Sequence, residues 1–227
     1  MRRSLSVAPG TAAALFVDLQ EEHRQDKRHL VEGFDALLAK VRDLQAAARR
    51  HAVPVVHAAY VVDSAAGKPR PFHPMLADGR SAFSDKDDPL SAICPDVGPI
   101  GDETVVVKTE ASAFGGGELA RRLGAFGVEW LFVAGVWTEA CIAATVKDAI
   151  DLGYRVVLIK DACGSGSAAM HQTGILNLAN RLYGGAVVDS EHACRLMAGE
   201  VVDAWMVEGS VPFRFTYETA AGLYEDL

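Results

Sequence analysis

Cysteine is scarce and unpaired in this chain of 227 residues: Cys94, Cys141, Cys163 and Cys194 form no C-x-x-C pair. That excludes the disulfide framework of a small secreted domain, fits free thiols in a reducing compartment, and leads us to expect a cytoplasmic protein. Long hydrophobic runs are also missing. No stretch approaches ~20 uninterrupted apolar residues, so no membrane span is expected. The apolar run that follows the N-terminal arginines, Ala12 to Val17, stops at Asp18, too short for a signal peptide. Positive charge is in deficit, with 22 Lys and Arg against 30 Asp and Glu and a formal net charge of −8. The two signs are mixed along the chain with no basic stripe, which argues against nucleic acid as a partner. The seven histidines (His23, His29, His51, His57, His73, His171, His192) show no recognisable metal spacing.

Apolar residues make up half the chain, enough for one sizeable core. Short runs of Val, Ile, Leu and Phe recur at Ala13–Val17, Val53–His57, Thr104–Val107, Leu131–Ala134, Arg155–Ile159 and Ala186–Val188. They lack alternation, as strands of a parallel sheet covered on both faces do. Helical patterns separate them. The clearest runs from about His29 to Arg50, with Leu30, Phe34, Leu37, Leu38, Val41, Leu44 and Ala48 on one face. The alternation predicts an α/β fold, a doubly wound, mainly parallel six-stranded sheet with helices on both faces. A single domain over residues 1–227 is expected, with 199–227 as a C-terminal extension. That tail carries apolar residues (Trp205, Val207, Phe213, Phe215, Tyr217, Leu223) without a clear period. Six of the nine prolines fall between Val62 and Asp102. So long an irregular segment suggests a lid or pocket wall, or else an oligomer contact.

In open α/β sheets the site lies beyond the carboxyl ends of the strands. Asp18 and Gln20 follow the first strand, His57 and Tyr60 the second, Lys108 the third, and the turn GVWTEAC the fourth. Cys141 falls in the first turn of the next helix, where free N–H groups and the helix dipole favour a thiolate. A carboxylate, an amine and a thiol at one edge make a usable nucleophilic site: the acid can shuttle the thiol proton, and the lysine can lower the thiol pKa.

Three stretches, LFVDLQ (15–20), VVVKTEASAFGGGELARRL (105–123) and LFVAGVWTEACIAATVKDAIDLGYRVVLIKDACGS (131–165), resemble the isochorismatase-like cysteine hydrolases. That family includes nicotinamidases, isochorismatases, and N-carbamoylsarcosine and ureidoacrylate amidohydrolases. The resemblance implies a Rossmann-like sheet and an Asp18–Lys108–Cys141 triad. It also implies a cis Val136–Trp137 bond and an oxyanion hole from the N–H groups of Trp137 and Cys141. The expected activity is hydrolysis of a C–N bond in a small amide or ureide, through a thioester and without a cofactor. Gln20, His23, His57, Tyr60 and Phe114 are the expected pocket residues. Homodimers or homotetramers are common in the family. His23 stands where the family often has Phe, which would suit a polar substrate. The Asp-x-His motif of the metal-dependent nicotinamidases is absent, so no metal is expected and nicotinamide is a poor candidate.

Other classes have less to stand on. A nucleotide-binding module has only the triple glycine Gly115–Gly117, without G-x-G-x-x-G or G-x-x-x-x-G-K-[ST]. A serine hydrolase would need G-x-S-x-G, and a cysteine phosphatase an arginine where Lys147 stands. Vinyl-ether hydrolysis and a non-enzymatic redox thiol stay as alternatives.

Overall fold

Alternate residues of one strand explain the layering. In the computed structural model, which describes residues 1–209 and 214–227, β2 (Ala12–Val17) is buried along its whole length. Ala12, Ala14 and Phe16 join one apolar cluster, and Ala13, Leu15 and Val17 join another on the opposite face. The first cluster is covered by helices α2 (Phe34–Arg50) and α6 (Ser190–Met197), numbering from the short α1 (Glu22–Gln25). The second is covered by α3 (Glu118–Ala125), α4 (Ala143–Asp151) and α5 (Ala168–Ala179). A strand buried on both sides needs no polar alternation, which is why AAALFV reads as a continuous apolar run. Each Leu or Phe taken fully out of water here contributes about 2–3 kcal/mol.

The remaining strands are β1 (Arg2–Leu5), β3 (Val55–Tyr60), β4 (Thr104–Lys108), β5 (Trp130–Val136), β6 (Arg155–Gly164), β7 (Ala186–Val188) and β8 (Val202–Trp205). Their order is β1-β8-β7-β6-β5-β2-β3-β4. From β7 to β4 every pairing is parallel, and these are the six strands the sequence predicts. The sheet is nevertheless eight-stranded among the described residues. β8 pairs antiparallel with β7, and β1 antiparallel with β8. The tail thus supplies the strand between β7 and the edge strand β1, and a last helix, α7 (Tyr217–Glu225), which packs on α5. Phe213, one of the apolar tail residues noted above, lies outside the described residues.

Three of the boundary differences from the sequence reading exceed two residues. Helix α2 begins at Phe34 rather than near His29, because Gly33 turns the chain with φ +69°. Strand β3 continues three residues past His57. Strand β6 continues to Gly164 through an irregularity opposite Val133 and Gly135. The chain crosses between β2 and β5, so the crevice at their carboxyl ends is the topological switch point of the sheet.

Candidate active site

Asp18 is the first residue beyond β2. Its φ of +53° puts it in the left-handed region, which Asp tolerates better than most side chains. Its N–H is held by the Ala58 carbonyl at 2.8 Å. Lys108 closes β4, two strands away, and reaches across β3. Its Nζ lies 2.8 Å from Asp18 Oδ2 and 4.9 Å from the centre of the Tyr60 ring. The other two ammonium protons go to the Glu110 and Ala111 carbonyls, at 3.1 and 3.2 Å. Both charged side chains are buried, 1% and 4% exposed. Asp18 Oδ1 has no hydrogen-bond partner among the described residues.

The third group comes from the turn after β5. Gly135 has φ +129°, and a Cβ there would sit 2.1 Å from the Val17 carbonyl oxygen. Only glycine lets β5 come this close to β2. The Val136–Trp137 peptide bond is cis. Residues Thr138–Ile142 form one wide helical turn before α4, and Cys141 stands in it, half-buried. Two glycines of the following segment enclose the turn. A Cβ on Gly166 would meet the Trp137 ring at 2.8 Å, and one on Gly174 would meet Thr138 Cγ2 at 2.9 Å.

The Cys141 thiol has Asp18 and Lys108 as its charged neighbours. Burial first, and then the Asp18 carboxylate, push it up to about 12, while Lys108 opposes them. Lys108 lowers it as the sequence led us to expect, but desolvation and the nearby anion outweigh that pull, so the resting group is a thiol rather than the expected thiolate.

Asp18 and Cys141 line a cavity of about 360 Å³, and Lys108 reaches it through its contact with Asp18. Gln20, His23 and Tyr60 line it as expected. Gln20 is also a strap: its amide gives N–H bonds to the Tyr60 and Ser91 carbonyls and takes one from the Tyr60 N–H. His23 stands edge-on to Trp137, and burial holds its pKa below the ordinary value. Its Nδ1 lies 3.2 Å from the His29 carbonyl and 3.3 Å from Trp137 Nε1, and can serve one of them at a time. Burial raises the Tyr60 phenol, whose oxygen accepts from Arg70 at 2.8 Å.

Two expected pocket residues are elsewhere. His57 is mid-strand on the α2 side of the sheet, beside Phe16 and 3.1 Å from Glu103. It faces the core because β3 runs on to Tyr60. Phe114 packs on Tyr154, ring centres 5.7 Å apart, because the loop after Lys108 folds under α4, where Thr145 Oγ1 accepts the Ala113 N–H. Conversely, Glu22, His29, Phe83, Ser84, Ala111 and Ala140 line the cavity without having been singled out for it, and Arg70 joins them. Three of them come from the proline-rich segment, which therefore forms a pocket wall. The signal for Glu22 was its place two residues after Gln20. Its buried carboxylate accepts the Ser84 N–H at 2.9 Å and pins that wall. A second hollow of about 350 Å³ lies between Met1, Trp205 and Leu227, and no thiol or lysine lines it. No three His, Cys, Asp or Glu side chains group as a metal would need, among the described residues. None of the described helices is long and apolar enough to cross a membrane.

A Rossmann-type strand order with a thiol, a carboxylate and a lysine gathered at its switch point defines the class of α/β protein at hand. Residues 12–192 match the family model described as the isochorismatase domain, and the chain belongs to that family. Maleamate amidohydrolase of Pseudomonas putida is 34% identical over 136 residues, which are 56% of this chain and 63% of that protein. The match thus spans less than two thirds of that relative. Among solved structures, an isochorismatase family protein from Desulfovibrio vulgaris has a TM-score of 0.75 at 27% identity, covering 83% of this chain and 98% of its own. A cysteine hydrolase from Pseudomonas syringae has a TM-score of 0.77 at 20% identity, covering 86% and 95%, a likeness of fold.

Proposed function

We propose that this protein is a cysteine hydrolase that cleaves a C–N bond of a small amide or ureide. The observation that carries the reading is the buried Asp18–Lys108 pair beside Cys141, with one carboxylate oxygen left free. Kinship with a protein named an amidohydrolase supports the bond type.

The chemistry follows from the thiol. At about 12 it is protonated at neutral pH, so it needs a base within the site. Asp18 takes the proton as sulfur attacks the carbonyl carbon. The oxyanion is held by the N–H groups of Trp137 and Cys141. Asp18 returns the proton to the departing nitrogen, the C–N bond breaks, and ammonia or an amine leaves a thioester on Cys141. Water, deprotonated by Asp18, adds to the thioester. The acid departs and the proton goes back to sulfur. Lys108 keeps Asp18 aimed and offsets the negative charge throughout.

A panel of primary amides and ureides, assayed for ammonia release, tests this. Turnover of at least one member is expected, abolished by iodoacetamide and by Cys141→Ala. Full turnover by Cys141→Ala would end the proposal.

A further inference from the structure

We propose that Tyr224 and His171 are positioning residues for the turn that carries Cys141. They would act through a hydrogen-bond chain running from the C-terminal helix into Thr138. The idea rests on the reading of that turn as an oxyanion hole. Tyr224 lies outside the stretch that matches the family model, so the contact belongs to this chain's own tail.

The chain of contacts is short. Tyr224 Oη is 3.1 Å from His171 Nε2. His171 Nδ1 is 2.8 Å from Thr138 Oγ1, and Thr138 Oγ1 is 3.0 Å from the Gly164 carbonyl. Thr138 is fully buried and directly follows Trp137. Counting donors gives the chain a direction. The Gly164 oxygen can only accept, so it takes the single Thr138 hydroxyl proton. Thr138 Oγ1 is then the acceptor for His171, whose Nδ1 carries the ring proton. Nε2 is left as a lone pair and accepts the Tyr224 O–H. The ring is neutral, because burial holds His171 down at about 4. The Lys160 carbonyl, also close to the ring, competes for its one N–H. Moving the proton to serve it from Nε2 would cost Gly164 its Thr138 bond.

Two further contacts fix both ends of the chain. Helix α5 presents His171 and Gly174 on one face, and Gly174 lies so close under Thr138 that a methyl group would not fit. The Tyr224 end is held by Lys160, whose Nζ donates to the Tyr224 carbonyl at 2.9 Å and lies 4.9 Å from the ring centre. The tail helix is thereby linked to the residue after the peptide that would hold the oxyanion. A loss confined to carbonyl chemistry is the signature of such a link.

The test is Tyr224→Phe in the full chain. It deletes one hydroxyl from a ring that keeps its packing. We expect kcat for the best amide of the panel to fall about three- to tenfold, the range of one hydrogen bond. KM and the rate of Cys141 alkylation by iodoacetamide, which needs no oxyanion hole, stay within twofold. Nitrogen-15 spectra of wild-type His171 show the proton on Nδ1, and the variant shows a mixture of tautomers. An unchanged kcat overturns the proposal. So does a parallel fall in kcat and alkylation, which would mean a disturbed fold. A wild-type ring protonated on Nε2 overturns it as well. If wild type turns over no amide, the proposed function fails on its own, and the His171 spectra of the two proteins decide the relay.

Discussion

Replacing Lys108 by Met should separate the two jobs of the buried ion pair. Methionine matches the lysine stem in length and removes three donors. Asp18 Oδ2 loses its partner at 2.8 Å while Oδ1 already has none, so a carboxylate 4% exposed is left without a counter-ion. The Glu110 and Ala111 carbonyls lose their N–H bonds too. Breaking a buried pair from one side costs about 3–5 kcal/mol. The orphaned carbonyls lie within that loss at roughly 1 kcal/mol each. Adding Asp18→Asn to Lys108→Met removes the uncompensated charge and should recover about 2 kcal/mol. Urea unfolding followed by far-UV circular dichroism, with the slope unchanged between variants, measures both steps. Ammonia release should be lost in the single and the double variant alike, so stability returns and activity does not. A Lys108→Met protein within about 1 kcal/mol of wild type would refute the account of a buried, mutually dependent pair. So would a double variant no more stable than the single one.

Two further outcomes follow from packing and from protonation. Gly135→Ala should fail to give a cooperatively folding protein, since its Cβ would lie 2.1 Å from the Val17 oxygen at φ +129°. A thermal melt near that of wild type would contradict the close approach of β2 and β5. Stability should fall on acidification between pH 6.5 and about 4, because folding lowers His171 from 6.5 to about 4 by burial. In that window the unfolded chain binds a proton that the folded chain does not, so stability is gained as pH rises and is fully present above 6.5. The span is worth on the order of 3 kcal/mol. Urea midpoints across the window should flatten in His171→Gln, and an equal slope in both proteins would assign the acid sensitivity elsewhere.

The six parallel strands were legible because each is built on a run of apolar residues without alternation, AAALFV and WLFVAGV being the extremes. The two antiparallel strands were not. β1 (RRSL) is largely exposed and β8 (VDAW) alternates over only four residues, so neither leaves a pattern distinct from a loop. The third strand was placed but cut short. In VVHAAY the two alanines carry little strand preference, so the run seemed to end at His57. That three-residue error moved His57 from the core to the expected pocket. Asp18, Lys108 and Cys141 could be read because each sits at a strand end or just after one, where topology sets position. Phe83 and Ser84 could not, because their places depend on long-range contacts such as Glu22 with Ser84 and Gln20 with Ser91. Those contacts have no local period. The His171–Tyr224 contact joins residues 53 apart and was illegible for the same reason.

The resting thiol presents an energetic problem that the arrangement itself resolves. Ionising Cys141 to solvent at pH 7 from a pKa of about 12 would cost on the order of 7 kcal/mol. Burial is the first cause of that elevation, but the part due to Asp18 exists only while Asp18 is charged, because the carboxylate repels the new thiolate. In the proposed mechanism the proton goes to Asp18 itself. The transfer neutralises the repelling neighbour in the same step and leaves Lys108 with the thiolate as its nearest anion. The net charge of the buried trio is the same before and after, one negative and one positive, so no charge has to be desolvated anew. A thiol that would be inert next to a permanent carboxylate thus becomes available when that carboxylate is the base.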